Sequence, residues 1–269
     1  MIRNGSTSLW KPRVGAQIDR SHPAAQGLLA CWLFNENSGA ASYDLAGSYH
    51  YAFTGGVSRI ATPTGPAIKF DGTSGQGIAS GHPLANATAF TVIIYVLQKG
   101  GPAAPYGPYI GSDQNFNTGV YIGSDFVGTM QFNLGTVNNA LNITDNQWNH
   151  CAFQYSASTQ KKAAYVNGVQ AYSVTNTFGV MPNYLQTYLG KGSAAAGSYF
   201  TDSQIGYIKV WNRFLSPTEI VSDYAAPWAM FAPANDRRFL RVASSAPDGG
   251  VSVGSLAIGG GGRLSVGIG

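Results

Sequence analysis

The stretch "AAYVNGVQAY" (163–172) places Asn167-Gly168 between two short apolar runs, and that pair leaves the backbone few choices. A type I′ turn demands positive φ at both central residues, which Asn and Gly tolerate. The expected product is a β-hairpin with its register fixed by the turn. Val166 then faces Val169 and Ala164 faces Ala171 on one side of the ribbon; Tyr165 faces Gln170 and Ala163 faces Tyr172 on the other. A lone hairpin is marginal in water, so the question is which larger sheet it joins.

The chain supplies strand after strand. "LLACWLF" (28–34), "AIKFDG" (67–72), "AFTVIIYVLQ" (89–98), "GVYIGS", "GTMQFNLG", "NHCAFQYS" (149–156), "YLQTYLG" and "IGYIKVWN" are short apolar runs bounded by turn residues. In "NHCAFQYS" the alternation puts Cys151, Phe153 and Tyr155 on one face and His150, Ala152 and Gln154 on the other. Turns about 8–12 residues apart predict an all-β, two-sheet antiparallel sandwich, with a closed barrel as the alternative. Composition agrees: 35 glycines and only 10% charged residues, against about 25% in ordinary soluble domains, suit tight turns better than solvated helices. One short helix is predicted near the C-terminus, in "LSPTEIVSDY". Ser216 is its N-cap, Pro217 opens the first turn, Glu219 completes a capping box, and Pro227 lies beyond its end.

Three zones follow: an extended N-terminal arm (1–27), the folded body (28–226), and an extended C-terminal tail (227–269) whose "VSVGSLAIGGGGRLSVGIG" could form only a narrow hairpin. The net charge of +4 is spread thinly, without the basic stripe of a nucleic-acid binder. The longest apolar run, Ala89 to Leu97, is about half a membrane span. "MIRNGSTSLWKPRVGAQ" lacks the apolar segment of a secretory signal, and Cys31 and Cys151 read as two buried thiols. A soluble protein made in a cytoplasm is therefore expected.

Five stretches, in order over about residues 28–221, resemble the laminin-G-like branch of the concanavalin A-like lectin/glucanase jelly rolls. They are "GLLACWLFNENSG" with "DLAG", "AIKFDGTSG", "WNHCAFQYS", "AYVNGVQ" and "IGYIKVWNRFLSPTEI". The resemblance implies two curved antiparallel sheets and a function in binding glycans or proteins. Gly206 and Tyr207 stand where the family usually carries an acidic pair. The ends, with "SHPAAQGLLACWLFNE" and "PWAMFAPANDRR", resemble laminin-G-like proteins encoded by tailed bacteriophages. That likeness implies a virion protein assembled in the host cytoplasm, a head decoration or tail-associated part, held to other virion proteins and to copies of itself through the arm and tail.

Catalysis finds no support in the residues. Glycoside hydrolysis needs two carboxylates about 5–9 Å apart, and the body offers Glu36 after the first strand and Glu219 in a helix cap. "GVSVG" (250–254) matches a nucleophile elbow, but no histidine follows it. The four histidines lack metal-ligand spacing; His150 reads as a strand residue with a satisfied ring. No catalytic or metal-binding residue is assigned, and a calcium ion held by Asp113 or Asp125 with backbone carbonyls stays open. Glycan binding would use aromatic faces and amide or carboxylate side chains. The candidate ligand residues are Tyr106, Tyr109, Asp113, Gln114 and Asn115 in one loop and Tyr199 and Asp202 in another. Trp32, Trp148 and Trp211 are expected in the core. A free lectin is the alternative to a virion protein, and a glycoside hydrolase a more distant one.

Overall fold

In the computed structural model the described residues are 10–99, 107–112, 120–124, 130–134, 137–192, 199–231, 257–258 and 262–263. Among the described residues sixteen strands precede residue 233: β1 (Leu28–Trp32), β2 (Ala41–Ser42), β3 (Tyr51–Thr54), β4 (Val57–Thr62), β5 (Gly65–Phe70), β6 (Gln76–Ser80), β7 (Ala89–Gln98), β8 (Gly107–Ser112), β9 (Val120–Ser124), β10 (Met130–Leu134), β11 (Val137–Leu141), β12 (Trp148–Ser156), β13 (Lys161–Val166), β14 (Val169–Thr175), β15 (Gln186–Leu189) and β16 (Ser203–Trp211). One helix, α1 (Pro217–Ala225), follows. The strands make two antiparallel sheets. The first runs β14-β13-β12-β7-β16-β5-β4 with β1 also on β16; the second runs β11-β10-β9-β8-β15-β6-β3-β2. The sandwich is the predicted fold, and the barrel alternative is set aside by the two separate sheets.

The chain divides into Met1–Pro233 and Ala234–Gly269. In the second unit, two-residue strands β17 (Ala257–Ile258) and β18 (Gly262–Arg263) pair.

Alternation builds the core between the sheets. Phe90, Val92, Ile94 and Val96 of β7 meet Phe132, Ile122 and Tyr51 from the other sheet, all buried. Cys151, Phe153 and Tyr155 face this core, while Ala152 joins a second apolar cluster on the outer face of the first sheet. That second cluster is why both faces of β12 are buried. Helix α1, Trp211, Leu215 and Met230 cover the outer face, together with residues read from sequence as an arm. Lys11 is 8% exposed and donates to the carbonyls of Pro66 and Gly206. Ile18 bridges to Phe231, and the Trp211 indole donates to Ala24 O at 2.9 Å. So Trp10–Gly27 are not an extended arm but a strap packed on the body. Burial of apolar surface and backbone pairing outweigh its polar composition.

The hairpin forms as predicted at its tip. Asn167 (φ 50°) and Gly168 (φ 80°) take the left-handed turn, and Val166 pairs Val169 and Tyr165 pairs Gln170. Beyond them the predicted register fails: Ala164 faces Tyr172, and Ala163 faces Ser173, because a bulge intervenes. The bulge turns Tyr172 toward the main core, where its ring finds more to bury than Ala171 would. Both cysteines are free and buried; burial pushes the Cys31 thiol up to about 12.

The capping box is present in full: Glu219 N donates to Ser216 Oγ at 3.2 Å, and Ser216 N to Glu219 Oε2 at 2.8 Å. Ser216→Ala is expected to cost about 1 kcal/mol, read as a lower midpoint in urea unfolding.

Candidate functional site

The sequence-predicted binding residues do not converge on one described site. Tyr106, Asp113, Gln114 and Asn115 lie outside the described residues, as do Asp125 and most of both loops. Tyr109 is a correction. It sits in β8, buried among the core residues, with its hydroxyl donating to Gln98 Oε1. A strand position beside the apolar interior, rather than a loop, claims this ring. Tyr199 and Asp202 are half-buried in a segment stitched to the end of β15. Thr201 N donates to Gly190 O at 3.0 Å and Gly192 N to Tyr199 O at 2.9 Å. The Asp202 carboxylate keeps one buried oxygen, Oδ1, without a hydrogen-bond partner.

The expected tryptophan positions hold for Trp32 and Trp211, which are buried. Trp148 is half-buried on the outer face, stacked on Tyr95 with centroids 4.8 Å apart. Gly206 makes room for it: a Cβ there would stand 2.7 Å from Tyr95 Cδ1 and 3.4 Å from Trp148 Cζ3. An acidic side chain at this position would displace the stack. His150 is another correction. Its Nε2 meets Asp223 Oδ2 at 3.1 Å, but its buried Nδ1 has no partner, so the ring is half satisfied.

The two glutamates serve the framework. Glu36 accepts from Ser42 Oγ at 2.6 Å and Tyr43 N at 2.8 Å, and pairs with Arg59 at 2.9 Å. Glu219 caps α1 and pairs with Arg213 at 2.7 Å; the Arg213 hydrogen bond draws its carboxyl down to about 2. Among the described residues no group of three His, Cys, Asp or Glu side chains is arranged to hold a metal.

A different arrangement appears on the outer face of the second sheet. Met130, Phe132 and Leu134 of β10, Ile122 of β9, Ile110 of β8 and Leu189 of β15 point to the core. Their alternating neighbours therefore point outward. Cross-strand register lines those neighbours up: Asn133 beside Tyr121, Tyr121 beside Gly111, Gly111 beside Tyr188, Tyr188 beside Ile78, and Ile78 beside Ala52. Tyr121 and Tyr188 flank Gly111 on either side, about 10 Å apart at the usual strand spacing. A Cβ added at Gly111 would meet nothing within 4 Å. The result is a notch floored by glycine backbone and walled by two tyrosines, and all three are buried, Tyr121 at 1% and Tyr188 at 4% exposure.

Amides surround the notch. Tyr188 donates its hydroxyl to Gln186 Oε1 at 2.6 Å, Gln131 lies two residues from Asn133 on the same face, and Asn133 is 9% exposed with Oδ1 unpartnered. A buried lone carbonyl oxygen is costly unless something donates to it. Behind the notch, burial pushes the His82 imidazole down to about 3 against the opposing pull of the Gly111 carbonyl, so it stays neutral. The signal for this row was in the sequence. "VYIGS", "MQFNL" and "QTYL" each alternate apolar with Tyr, Gln or Asn, a period of two that marks an outward polar face.

The family model described as the concanavalin A-like lectin/glucanases superfamily matches residues 71–221. Among curated proteins, none matches the chain in sequence. Among solved structures, the sialidase of Trypanosoma rangeli in complex with sialic acid superposes with a TM-score of 0.61 at 15% identity. That match covers 79% of this chain and 36% of the sialidase, so the chain spans little more than a third of that enzyme. Domain 4 of AbnA, a GH43 extracellular arabinanase from Geobacillus stearothermophilus, in complex with arabinotriose, superposes at 0.58 and 18% identity. It is matched over 98% of its length by 74% of this chain. The binding domain of Paraclostridial Mosquitocidal Protein 1 gives 0.61 at 11% identity, over 77% of this chain and 53% of that one. At such identities the likeness concerns the fold. With the family model covering more than half of the residues, the chain belongs to the concanavalin A-like lectin/glucanase superfamily.

Proposed function

We propose that this protein is a non-catalytic glycan-binding module whose ligand sits in the Gly111 notch of the second sheet. The observation that carries the proposal is the row Asn133–Tyr121–Gly111–Tyr188: two aromatic rings and an unpartnered amide oxygen aligned across neighbouring strands, all buried, so that a ligand must displace what covers them. Sugars are held by ring faces stacking on aromatics and by hydroxyls donating to amide oxygens. The non-catalytic part is supported by Glu36 and Glu219, each committed to structural bonds rather than paired across a cleft.

The test is glycan-array and calorimetric titration of the full chain beside Gly111→Val. The substituted side chain enters empty space in a strand, so the fold is expected to keep its thermal midpoint. Binding is expected to weaken at least about tenfold, or about 1.4 kcal/mol. Undiminished binding by Gly111→Val would remove the notch from the account.

A virion setting belongs to the same proposal. The sequence style of the two ends supports it, with the module displayed on a tailed-phage particle as a decoration or tail-associated protein. Deleting residues 243–269 is expected to reduce incorporation into particles while leaving glycan binding intact. Glycan binding by a chain that associates with no particle would favour a free lectin.

A further inference from the structure

The first sheet ends on an open strand. Among the described residues β14 (Val169–Thr175) pairs on one side only, with β13. It is the longest of the four strands that end the two sheets, the others being β4, β11 and β2. Its sequence, "VQAYSVT", has no charged residue and no proline, and five of its seven residues are exposed. Among the described residues no backbone group of Val169–Thr175 bonds to a turn or loop.

An open edge is a template for another strand, and monomeric proteins blunt such edges with charge, proline, bulges or a cover. The opposite edge of the same sheet is blunted. There β4 carries Arg59, which pairs with Glu36 and donates to Ala41 O of the second sheet. β14 has neither charge nor cover. The bulge that sets Ala171 apart interrupts it once, and Tyr172–Thr175 pair regularly with β13 beyond that point.

We infer that β14 is an interface between two copies of this chain, which pair their β14 strands antiparallel about a two-fold axis. Such an axis sets a strand against its own reverse, so a charge on it would meet its like. β14 carries none. Gln170 and Ser173 lie opposite Tyr165 and Ala163 of the outer apolar cluster, and so share the outer face. Their amide and hydroxyl groups suit a second strand bearing the same row. A partner chosen by opposite charge would find nothing on this strand to choose.

A stable dimer buries about 800 Å² on each partner, more than one paired strand supplies. The side chains beside β14 extend the surface. Val169 opens the strand at 71% exposure, and Val221 and Tyr224 of α1 are 49% and 46% exposed. The last two stand three residues apart, on one face of the helix. The Tyr224 ring lies against the hairpin turn, with Cδ1 3.1 Å from a Cβ built on Gly168. Three of the eight large apolar side chains exposed among the described residues therefore gather at this edge. Pairing makes one continuous sheet of the two eight-stranded ones, and it uses up both open edges, so growth through β14 stops at two copies. No residue of the Gly111 row takes part, so this interface does not depend on the glycan-binding reading.

The experiment uses the full chain. Sedimentation from about 1 to about 100 µM is expected to show a concentration-dependent dimer. Hydrogen exchange of the Val169–Thr175 amides is expected to slow severalfold at the concentrated end, because pairing protects them. Ala171→Lys combined with Ser173→Lys sets ammonium groups on two exposed positions of the edge, against those of the copy. The pair of substitutions is expected to weaken the dimer at least about tenfold, and added salt is expected to restore part of the loss by screening. If the double variant fails to fold, exchange in the wild-type chain decides alone. A chain that stays monomeric throughout overturns the inference, as does one that associates while its β14 amides exchange at an unchanged rate. So does a folded double variant that dimerises as tightly as the wild type.

Discussion

Asp223→Ala is expected to destabilise the fold by about 3–5 kcal/mol. Asp223 lies on α1, 7% exposed, and meets a lysine and a histidine from the first sheet. Its Oδ1 accepts from Lys209 Nζ at 2.6 Å, and its Oδ2 meets His150 Nε2 at 3.1 Å. Burial pushes the Asp223 carboxyl up, but Lys209 and His150 outweigh it and hold it below the usual carboxylate range. Lys209 has no exposed surface, and among the described residues its other acceptor is Pro227 O at 2.6 Å. Removing the carboxylate therefore strands an ammonium under α1, which is where the large penalty comes from. The double replacement Asp223→Leu with Lys209→Met removes both charges, and it is expected to recover most of the loss. Urea unfolding of the three proteins checks this. A loss below about 1 kcal/mol for Asp223→Ala would mean that Lys209 reaches water and that α1 is not clamped by this triad.

The second large effect is a rise in stability with pH. Burial pushes both Lys11 and Lys162 down to about 7, Lys11 against an opposing pull from Glu36. Lys162 lies inside the sandwich, donating to Phe132 O, with its ammonium 4.6 Å from the Phe132 centroid. Lys11 pins the N-terminal strap. The unfolded chain holds these protons until about pH 10.4, whereas the folded chain releases them near 7. Between those values the unfolded state binds more protons, so stability increases with pH. Below 7 both states are protonated, and the penalty for burying the ammonium is constant. Between pH 7 and 9 the gain is on the order of 1–2 kcal/mol per lysine. Above about pH 9 the trend reverses, because burial raises the Cys31 thiol and the Tyr51 and Tyr207 hydroxyls in the folded state, and the unfolded chain ionises first. Thermal midpoints from pH 6 to 10 are expected to peak near 9, and Lys162→Met is expected to flatten the rise. A midpoint that falls steadily from pH 7 would show that the lysines remain charged where they are buried.

Local chemistry made much of the architecture readable. Asn167-Gly168 dictates its turn through positive φ, and Ser216, Pro217 and Glu219 dictate a helix start through the hydrogen bonds they make. Both operate within four residues, so no tertiary knowledge is required. The bulge opposite Ala164 was not readable, since only the core decides whether Tyr172 or Ala171 turns inward. The strap is not legible for the same reason: a polar segment with Lys11 looks solvated until Gly65 opens room for its side chain and the Gly206 carbonyl accepts from its ammonium. The proposed binding row is a matter of register, whereas loop tyrosines stand out in a sequence because exposure is usual there. The notch instead arises from register across four strands, which brings Asn133, Tyr121, Gly111 and Tyr188 together from positions distant in the chain.

The most direct measurement is a crystal structure of the full chain with an oligosaccharide identified by the array. The sugar ring is expected over Gly111, between the Tyr121 and Tyr188 side chains, with a hydroxyl donating to Asn133 Oδ1. A ligand found instead at the Asp202 segment, or on the Trp148–Tyr95 stack of the other sheet, would contradict the assignment of this face as the binding site.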